Sequence, residues 1–331
     1  MRGSYQSRVA LEPRRILSGH PRDCLRTSLE MSRRAAASLF GAVLLFAMEA
    51  GWAQGAATVA IEAQALRSGL HVLRGAGCNV VVWSGSDGVL VVDSGDAAAA
   101  PQLLEAIGRV AGDNVRLVVN THWHPDHVGG NAALRRAGAA SIAHADTRTR
   151  MSARQSIVIQ DLEVPAAPRD ALPVVTFDDT LTLHLNGDRL ALLHVPGAHT
   201  DGDLIALWQV ANVAQVGDVY RADGYPFVDV ANGGSLAGLV AAIETVLSRV
   251  DARTVIVPGH GPVSNRAELS AYRDMLVAVG RRVRELVDEG ASVDEVLAAQ
   301  PTAAFDERYG GAGESTERFV RVLYADLAGR R

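Results

Sequence analysis

Short apolar runs separated by Gly, Asn, Asp and Ser dominate the first half of the chain, and this pattern predicts β-strands joined by tight turns. Strand signals occur in GLHVL, NVVVW and GVLVVD, and apolar residues at helical spacing follow in AAAAPQLLEAIGRVAG. A buried strand in NVRLVVN then leads directly into the polar stretch THWHPDHVGG at residues 121–130. The first half therefore predicts hairpins, a helix, and a strand that ends at a histidine cluster.

The second half repeats this plan. It opens with strand signals in PVVTF, LTLHL, RLALLHV, DLIALWQV and NVAQVGD, and a helix is predicted from about Ser235, the expected N-cap, to Val250. A strand in RTVIVPGHGP then ends at His260, and helical patterns fill the chain from about residue 265. This order favours an α/β protein with four αββα layers, in which two mixed β-sheets pack face to face beneath outer helices.

Residues 31–53 resemble an export signal. Arg33 and Arg34 precede an apolar stretch too short to span a bilayer comfortably, and Gly51 and Ala53 provide small residues for cleavage near Ala53. We therefore expect a periplasmic or secreted protein with no stable membrane anchor after the signal is removed.

The signal also divides the chain. Residues 1–30 are rich in Arg and lie upstream of a complete signal, so we interpret them as a non-native, disordered extension before a true start at Met31. Residues 54–331 are predicted to form a single domain, because no long linker interrupts them. The helices from about residue 265 would cover its core, mediate a dimer, or do both.

Composition excludes several classes of function. The chain contains no lysine, which excludes Schiff-base chemistry and a phosphate-binding-loop lysine. A net charge of −5 gives no sign of a nucleic-acid partner. Cys24 lies upstream of the signal, so Cys78 would remain alone and is predicted to be a small buried residue.

Four residues of the polar stretch have the spacing of metal ligands. His122 and His124 are two apart near a strand end, so they point to the same side and can chelate one ion. Asp126 and His127 follow, and adjacent residues would face different ions. Imidazole suits zinc, and carboxylate adds a harder oxygen ligand. The alternatives for this stretch alone are a structural metal site and a solvated polar loop.

Three further residues change that balance. His199, Asp218 and His260 each follow an apolar strand and precede a Gly-rich loop, where sites of α/β proteins form. His194 lies five residues before His199 and is the alternative candidate from that segment.

The segments VLVVDSG, THWHPDHVGGN, VPGAHTDGD, VGDVY and VPGHGP occur in an order and spacing that resemble the metallo-β-lactamase superfamily, over roughly residues 70–262. One departure is that Ala198 separates Pro-Gly from His199, which we still prefer to His194 because Thr200 and Asp203 continue the family pattern. The resemblance implies two Zn²⁺ ions per chain, and Asp93 would brace the metal loop. The implied ligands are His122, His124 and His199 for the first ion, Asp126, His127 and His260 for the second, and Asp218 as a bridge between them.

The resemblance also implies a zinc-dependent hydrolase whose metal-bridging hydroxide attacks the carbonyl of a small molecule, with Asp126 orienting the hydroxide and carrying its proton. A β-lactam is the leading substrate, because export would bring the enzyme to it and Arg221 could bind its carboxylate. Lactone or thioester hydrolysis is the alternative, because a bridging Asp218 resembles the lactonase-like and glyoxalase II-like branches. A mononuclear-iron persulfide dioxygenase and a non-catalytic metal-binding protein are further alternatives. Aromatic residues that would form either a pocket wall or core are Trp83, Trp123, Tyr220, Tyr225 and Phe227.

Overall fold

The strands of the first half form one mixed β-sheet. The computed structural model describes residues 60–310 and 313–329, so the predicted extension at 1–30 and signal at 31–53 lie outside the described residues. Within that part, this sheet has seven strands in the order β1-β2-β3-β4-β5-β6-β9, antiparallel from β1 to β4 and parallel from β4 to β9. The strands are β1 (Glu62–Ala65), β2 (Leu70–Arg74), β3 (Val80–Gly85), β4 (Gly88–Val92), β5 (Val115–Val119), β6 (Ala140–His144) and β9 (Val175–Phe177).

A second sheet, with six strands among the described residues, takes the order β10-β11-β12-β13-β14-β15. Its strands are antiparallel except for the parallel pair β13 and β14. The PVVTF segment, expected to open the second half, belongs instead to the first sheet, where β9 pairs with β6. The strands are β10 (Thr180–Leu185), β11 (Asp188–His194), β12 (Leu204–Trp208), β13 (Val213–Gln215), β14 (Val255–Val257) and β15 (Ser264–Asn265), and β7 (Gln155–Ile157) and β8 (Leu162–Val164) form a separate hairpin.

Helices cover the outer face of each sheet. Leu103 and Ile107 of one helix pack on the first sheet, and Leu239 and Leu276 of two others pack on the second. The predicted N-cap is confirmed, because the Ser235 hydroxyl accepts a hydrogen bond from the Gly238 amide at 3.0 Å. The helices are α1 (Ala100–Ala111), α2 (Pro125–Val128), α3 (Asn131–Arg136), α4 (Ala145–Met151), α5 (Leu236–Leu247), α6 (Arg266–Asp288), α7 (Val293–Ala298), α8 (Asp306–Tyr309) and α9 (Gly313–Ala328).

One core lies between the two sheets, where apolar side chains of both inner faces meet, and a larger one lies between the second sheet and its helices. Trp83 of β3 and Trp208 of β12 meet edge to face, with ring centroids 6.0 Å apart. The predicted αββα architecture is therefore confirmed. Among the described residues we find no helix with the length and apolar character needed to cross a membrane.

Loops from the two sheets are joined at one edge of the sandwich. The Leu204 amide donates to the Thr121 carbonyl at 2.8 Å, and the Asn79 side chain donates to the carbonyls of Pro258 and Gly261. These bonds tie the loops after β5 and β14 to the opposite sheet. Residues distant in sequence are thus held together at this edge.

Candidate metal centre

Asp93 anchors the loop that carries the first histidines. It lies directly after β4, fully buried and with φ of 63°, a left-handed conformation that is uncommon outside glycine. Its carboxylate accepts hydrogen bonds from the Thr121 amide at 2.7 Å and hydroxyl at 2.8 Å, and from His127 Nδ1 at 2.9 Å. Because β4 and β5 are parallel neighbours, their carboxyl ends meet, and Asp93 fixes both the loop and one histidine ring.

His122, His124 and His199 turn their ring nitrogens towards one point. The Nε2–H of His124 donates to Asp229 at 3.0 Å, and the Nδ1–H of His199 donates to the Phe227 carbonyl at 2.7 Å. The remaining nitrogens, His124 Nδ1 and His199 Nε2, lie 2.9 Å apart. Two lone pairs at this distance repel each other unless a proton or a metal ion lies between them. The group therefore fits a cation.

A second group contains Asp126, His127 and His260, so the expectation from spacing that the adjacent Asp126 and His127 would face different ions is wrong. The Asp126 Oδ2 atom lies 3.5 Å from His127 Nε2 and 3.3 Å from His260 Nε2. His127 Nδ1 is bonded to Asp93, so Nε2 is the nitrogen that faces the group, and the surrounding carboxylates raise the pKa of this ring despite its burial. Carboxylate and imidazole together form a ligand set suited to zinc.

Asp218 lies between the two groups. Its Oδ1 is 3.2 Å from His127 Nε2, and its Oδ2 is 3.3 Å from His260 Nε2 and 3.8 Å from His199 Nε2. Asp218 Oδ1, His122 Nε2 and His127 Nε2 are buried, and none makes a hydrogen bond of good geometry among the described residues, although Asp218 Oδ1 and His127 Nε2 lie 3.2 Å apart. Buried polar atoms in proteins are normally satisfied, so these orphaned atoms also fit bound cations.

The protonation of the two groups differs. Burial lowers the pKa of His122 and lowers that of His199 to about 4, so both rings are neutral ligands at pH 7. Burial also opposes charge on His260, but the carboxylates of Asp218 and Asp126 outweigh it and raise the pKa of His260 to about 9. Protons on the second group therefore occupy the place that a metal ion would take.

Cys78 lies close to Asp93 and His127 but does not line the cavity next to the metal ligands. It is buried, and burial raises the pKa of its thiol to about 12 despite the nearby His127. The predicted small buried residue is confirmed, and the thiol stays protonated at neutral pH.

The two candidate histidines of the third segment separate clearly. His199 joins His122 and His124, whereas the His194 ring stacks on His144 with centroids 3.5 Å apart and its Nε2 is 2.9 Å from the Asp201 carbonyl oxygen. The structure therefore places His199, the residue that the sequence pattern favoured, beside His122 and His124.

The metal groups open into a cavity of about 300 Å³. Phe227 lines it and contacts the rings of His124 and His199, whereas Trp83, Tyr220 and Tyr225 belong to the core. Arg221 also lines this cavity, but its Nε is 2.8 Å from Asp223 Oδ1 and its charge is already paired.

A sequence model of the metallo-beta-lactamase superfamily matches residues 73–261. The chain belongs to this superfamily. Hydroxyacylglutathione hydrolase GloC of Haemophilus influenzae is 27% identical over 55% of this chain and 84% of its own length. Metallo-beta-lactamase type 2 of Bacteroides fragilis is 22% identical over 53% of this chain and 69% of its own. The structure of a metallo-beta-lactamase from Pontibacter korlensis aligns with a TM-score of 0.54 and 21% identity, over 66% of this chain and 99% of that one.

Two buried carboxylates hold the candidate metal ligands in place; sequence reasoning missed Asp229 altogether and missed the role of Asp203. Asp229 accepts from His124, and the Asn232 side chain donates to the same carboxylate at 2.7 Å. Asp203 accepts from the amides of His199 at 2.6 Å and Thr200 at 2.8 Å, and burial raises its pKa to about 7. Asp203 was noted in the sequence only as part of the family pattern after His199, and no local signal marks Asp229.

Proposed function

We propose that this protein is a hydrolase that uses two divalent metal ions, with zinc the ion that the ligands favour, to cleave the acyl bond of a thioester or lactone. The observation that carries the proposal is the position of the Asp218 carboxylate between the two ligand groups. When bound there, a pair of ions supplies a nucleophilic hydroxide at neutral pH and polarises the carbonyl under attack.

The residues of the chain would divide the remaining work. His122, His124 and His199 would hold the first ion on neutral imidazoles, and Asp126, His127 and His260 would hold the second. Burial raises the pKa of Asp126, but His127 and His260 outweigh this and keep its carboxylate ionised. The Asp126 carboxylate is 31% exposed and faces the cavity, so it can accept a hydrogen bond from the attacking water and orient it.

The cavity favours a neutral acyl compound over a β-lactam. Asp96 adds a carboxylate to the cavity lining, and the cation that would bind a β-lactam carboxylate, Arg221, is paired with Asp223. The lining therefore offers no unpaired arginine to the carboxylate of a β-lactam, whereas a neutral acyl compound needs none. β-Lactam hydrolysis remains the second candidate, because Arg221 can turn from Asp223 to a substrate in the same cavity.

The test is a substrate panel measured with the metal-loaded protein. We expect turnover of acyl thioesters and of lactones that exceeds turnover of a cephalosporin, a penicillin and a carbapenem, and we expect two zinc ions per chain by elemental analysis. Preferred β-lactam turnover would overturn our choice of substrate. One iron per chain with oxygen-dependent turnover of a persulfide would instead establish the dioxygenase.

Variants connect the activity to the site. Asp126→Ala and His124→Ala should each lower kcat by a factor of at least about 10² while the protein stays folded, because each removes a metal ligand. His184→Ala is the matched control, since His184 is an exposed histidine of β10 that belongs to neither ligand group. Near-normal turnover in either ligand variant would contradict the assignment.

A further inference from the structure

A second cavity, of about 330 Å³, lies beside the metal cavity and is mainly apolar, with Arg136, Arg150 and Gln155 as the polar part of its lining. It is formed between residues 123–136, which include α2 and α3, on one side and residues 150–171 on the other. Its lining includes Trp123, Val128, Ala133 and Val164. Trp123 is 1% exposed, and its Nε1–H has no hydrogen-bond partner among the described residues. Preformed apolar cavities of this size, with few polar groups, are typical small-molecule sites.

The two cavities are adjacent and share part of their lining. Three chain segments each give neighbouring residues to both: Asp96 lines the metal cavity and Ala97 the apolar one, while Ile157 lines the metal cavity and Gln155 the apolar one. Pro125 lines both. A molecule that extends past Pro125 would therefore have one end at the metal ligands and the other in the apolar cavity.

We propose that the apolar cavity binds the aliphatic chain of the substrate, which makes the substrate a medium-chain or long-chain acyl thioester, ester or lactone. This inference rests on the proposed acyl hydrolysis and specifies its substrate class. One water occupies about 30 Å³ in the liquid, and a methylene group is of similar size, so the cavity holds on the order of ten methylene groups. Leu162 of the β7–β8 hairpin is 41% exposed and lines the metal cavity, which gives the chain an apolar path inward.

The charges around the apolar cavity argue against a polar occupant. Arg136 is paired with Asp170 at 2.9 Å, and Arg150 is paired with Asp201 through two nitrogens. Both guanidinium groups are thus already engaged by carboxylates of this chain. An uncharged aliphatic chain needs no such partner, since burial of its surface drives binding.

The first experiment measures kcat/KM of the zinc-loaded protein for a series of acyl thioesters from acetyl to dodecanoyl. Each buried methylene should raise kcat/KM by a factor of about four, until the cavity is full. An active enzyme with the same kcat/KM for all chain lengths would overturn the inference and leave the proposed acyl hydrolysis intact.

Two substitutions narrow the cavity from opposite walls. Ala133→Leu acts from α3 and Val164→Trp acts from β8, and each should reduce the ratio of dodecanoyl to acetyl kcat/KM by at least about tenfold. Ala241→Leu, at an exposed position of α5, should leave this ratio unchanged. If the folded variants from both walls keep the wild-type ratio, the cavity does not hold the chain.

A binding measurement separates this inference from the proposed function. Decan-1-ol has no carbonyl to cleave and no charge, and butan-1-ol has the same hydroxyl group, so the difference between their affinities for the zinc-loaded protein, measured by calorimetry, reports the cavity. We expect it to bind at least about a hundredfold more tightly than butan-1-ol, and Ala133→Leu to remove most of the difference. Such binding without any acyl turnover would support the cavity and refute the hydrolase, whereas equal affinity for the two alcohols would refute the cavity.

Discussion

The carboxylate of Asp229 should control the affinity of the first metal site, although it touches no predicted metal position itself. It is 2% exposed and accepts the Nε2–H of His124, which leaves Nδ1 as the nitrogen that faces His199. Substitution Asp229→Asn keeps the shape of the side chain and removes its charge. His124 then loses the anion that fixes its ring orientation and strengthens it as a donor to a metal.

The magnitude follows from comparable carboxylate–histidine–metal contacts. Loss of such a partner typically lowers metal affinity or activity by about 10-fold to 100-fold, or about 1.4–2.7 kcal/mol. The effect should lie towards the upper end, because the contact is buried and the 3.0 Å distance indicates a direct hydrogen bond. Asn232 should limit structural damage, since its side chain can rotate to bond the new amide.

The assay is zinc titration of chelator-treated protein in competition with a chromophoric chelator. Asp188→Asn provides the matched control: Asp188 is 8% exposed and accepts from the amides of Val210 and Ala211 at 2.7 and 2.8 Å, with no metal ligand among its partners. We expect Asp188→Asn to lower the free energy of unfolding without changing zinc affinity. Zinc affinity of Asp229→Asn within twofold of wild type would refute the reasoning.

Three further predictions concern the centre and the core. In chelator-treated protein, the raised pKa of His260 stabilises the fold below about pH 6.5, and this contribution is lost as pH rises through about 9. Urea unfolding from about pH 6 to about pH 9.5 should show this decline in the free energy of unfolding. Zinc affinity should rise over the same interval, because a proton must leave His260 before the ion binds. Gly259→Ala should lower zinc occupancy at least about tenfold by elemental analysis, because a Cβ there would collide with the Asp218 carboxylate; full occupancy would count against this. Trp83→Ala should lower the free energy of unfolding by about 3–5 kcal/mol through loss of the contact with Trp208, and thermal or urea unfolding would show whether the loss is smaller than about 1 kcal/mol, which would contradict close packing there.

The sequence predicted the placement of the metal candidates well because each of them follows an apolar strand. Strand ends are recognisable from hydrophobic pattern, and the carboxyl ends of neighbouring parallel strands lie side by side, so β4 and β5 had to bring Asp93 and His122 together. His199 and His260 come from loops of the second sheet, and only the packing of the two sheets joins them to the first. The sequence indicated that His199 and His260 join the first ligands only because the order of the motifs resembles that of a known superfamily.

The sequence did not predict the contact of Asp229 with His124 or the β7–β8 hairpin. Asp229 is 105 residues from His124, and its loop has no strand signal, so only the folded chain shows the contact. The hairpin turns at Asp161, which adopts a left-handed φ of 49° without a glycine to mark it. Because an aspartate takes this position, the sequence shows no turn signal between β7 and β8, and the two strands cannot be distinguished from one continuous segment.

The residues between the metal ligands explain why a well-recognised motif leaves the substrate undefined. In Trp123–Val128, His124, Asp126 and His127 face the metal groups, while Trp123 and Val128 face the apolar cavity. Chemistry fixes the first set, because few residue types bind a metal ion. The second set need only be apolar, and the opposite wall is built partly from alanines whose small side chains leave space. Substrate choice thus depends on the volume that these residues leave open, a property that residue types along the chain do not encode locally.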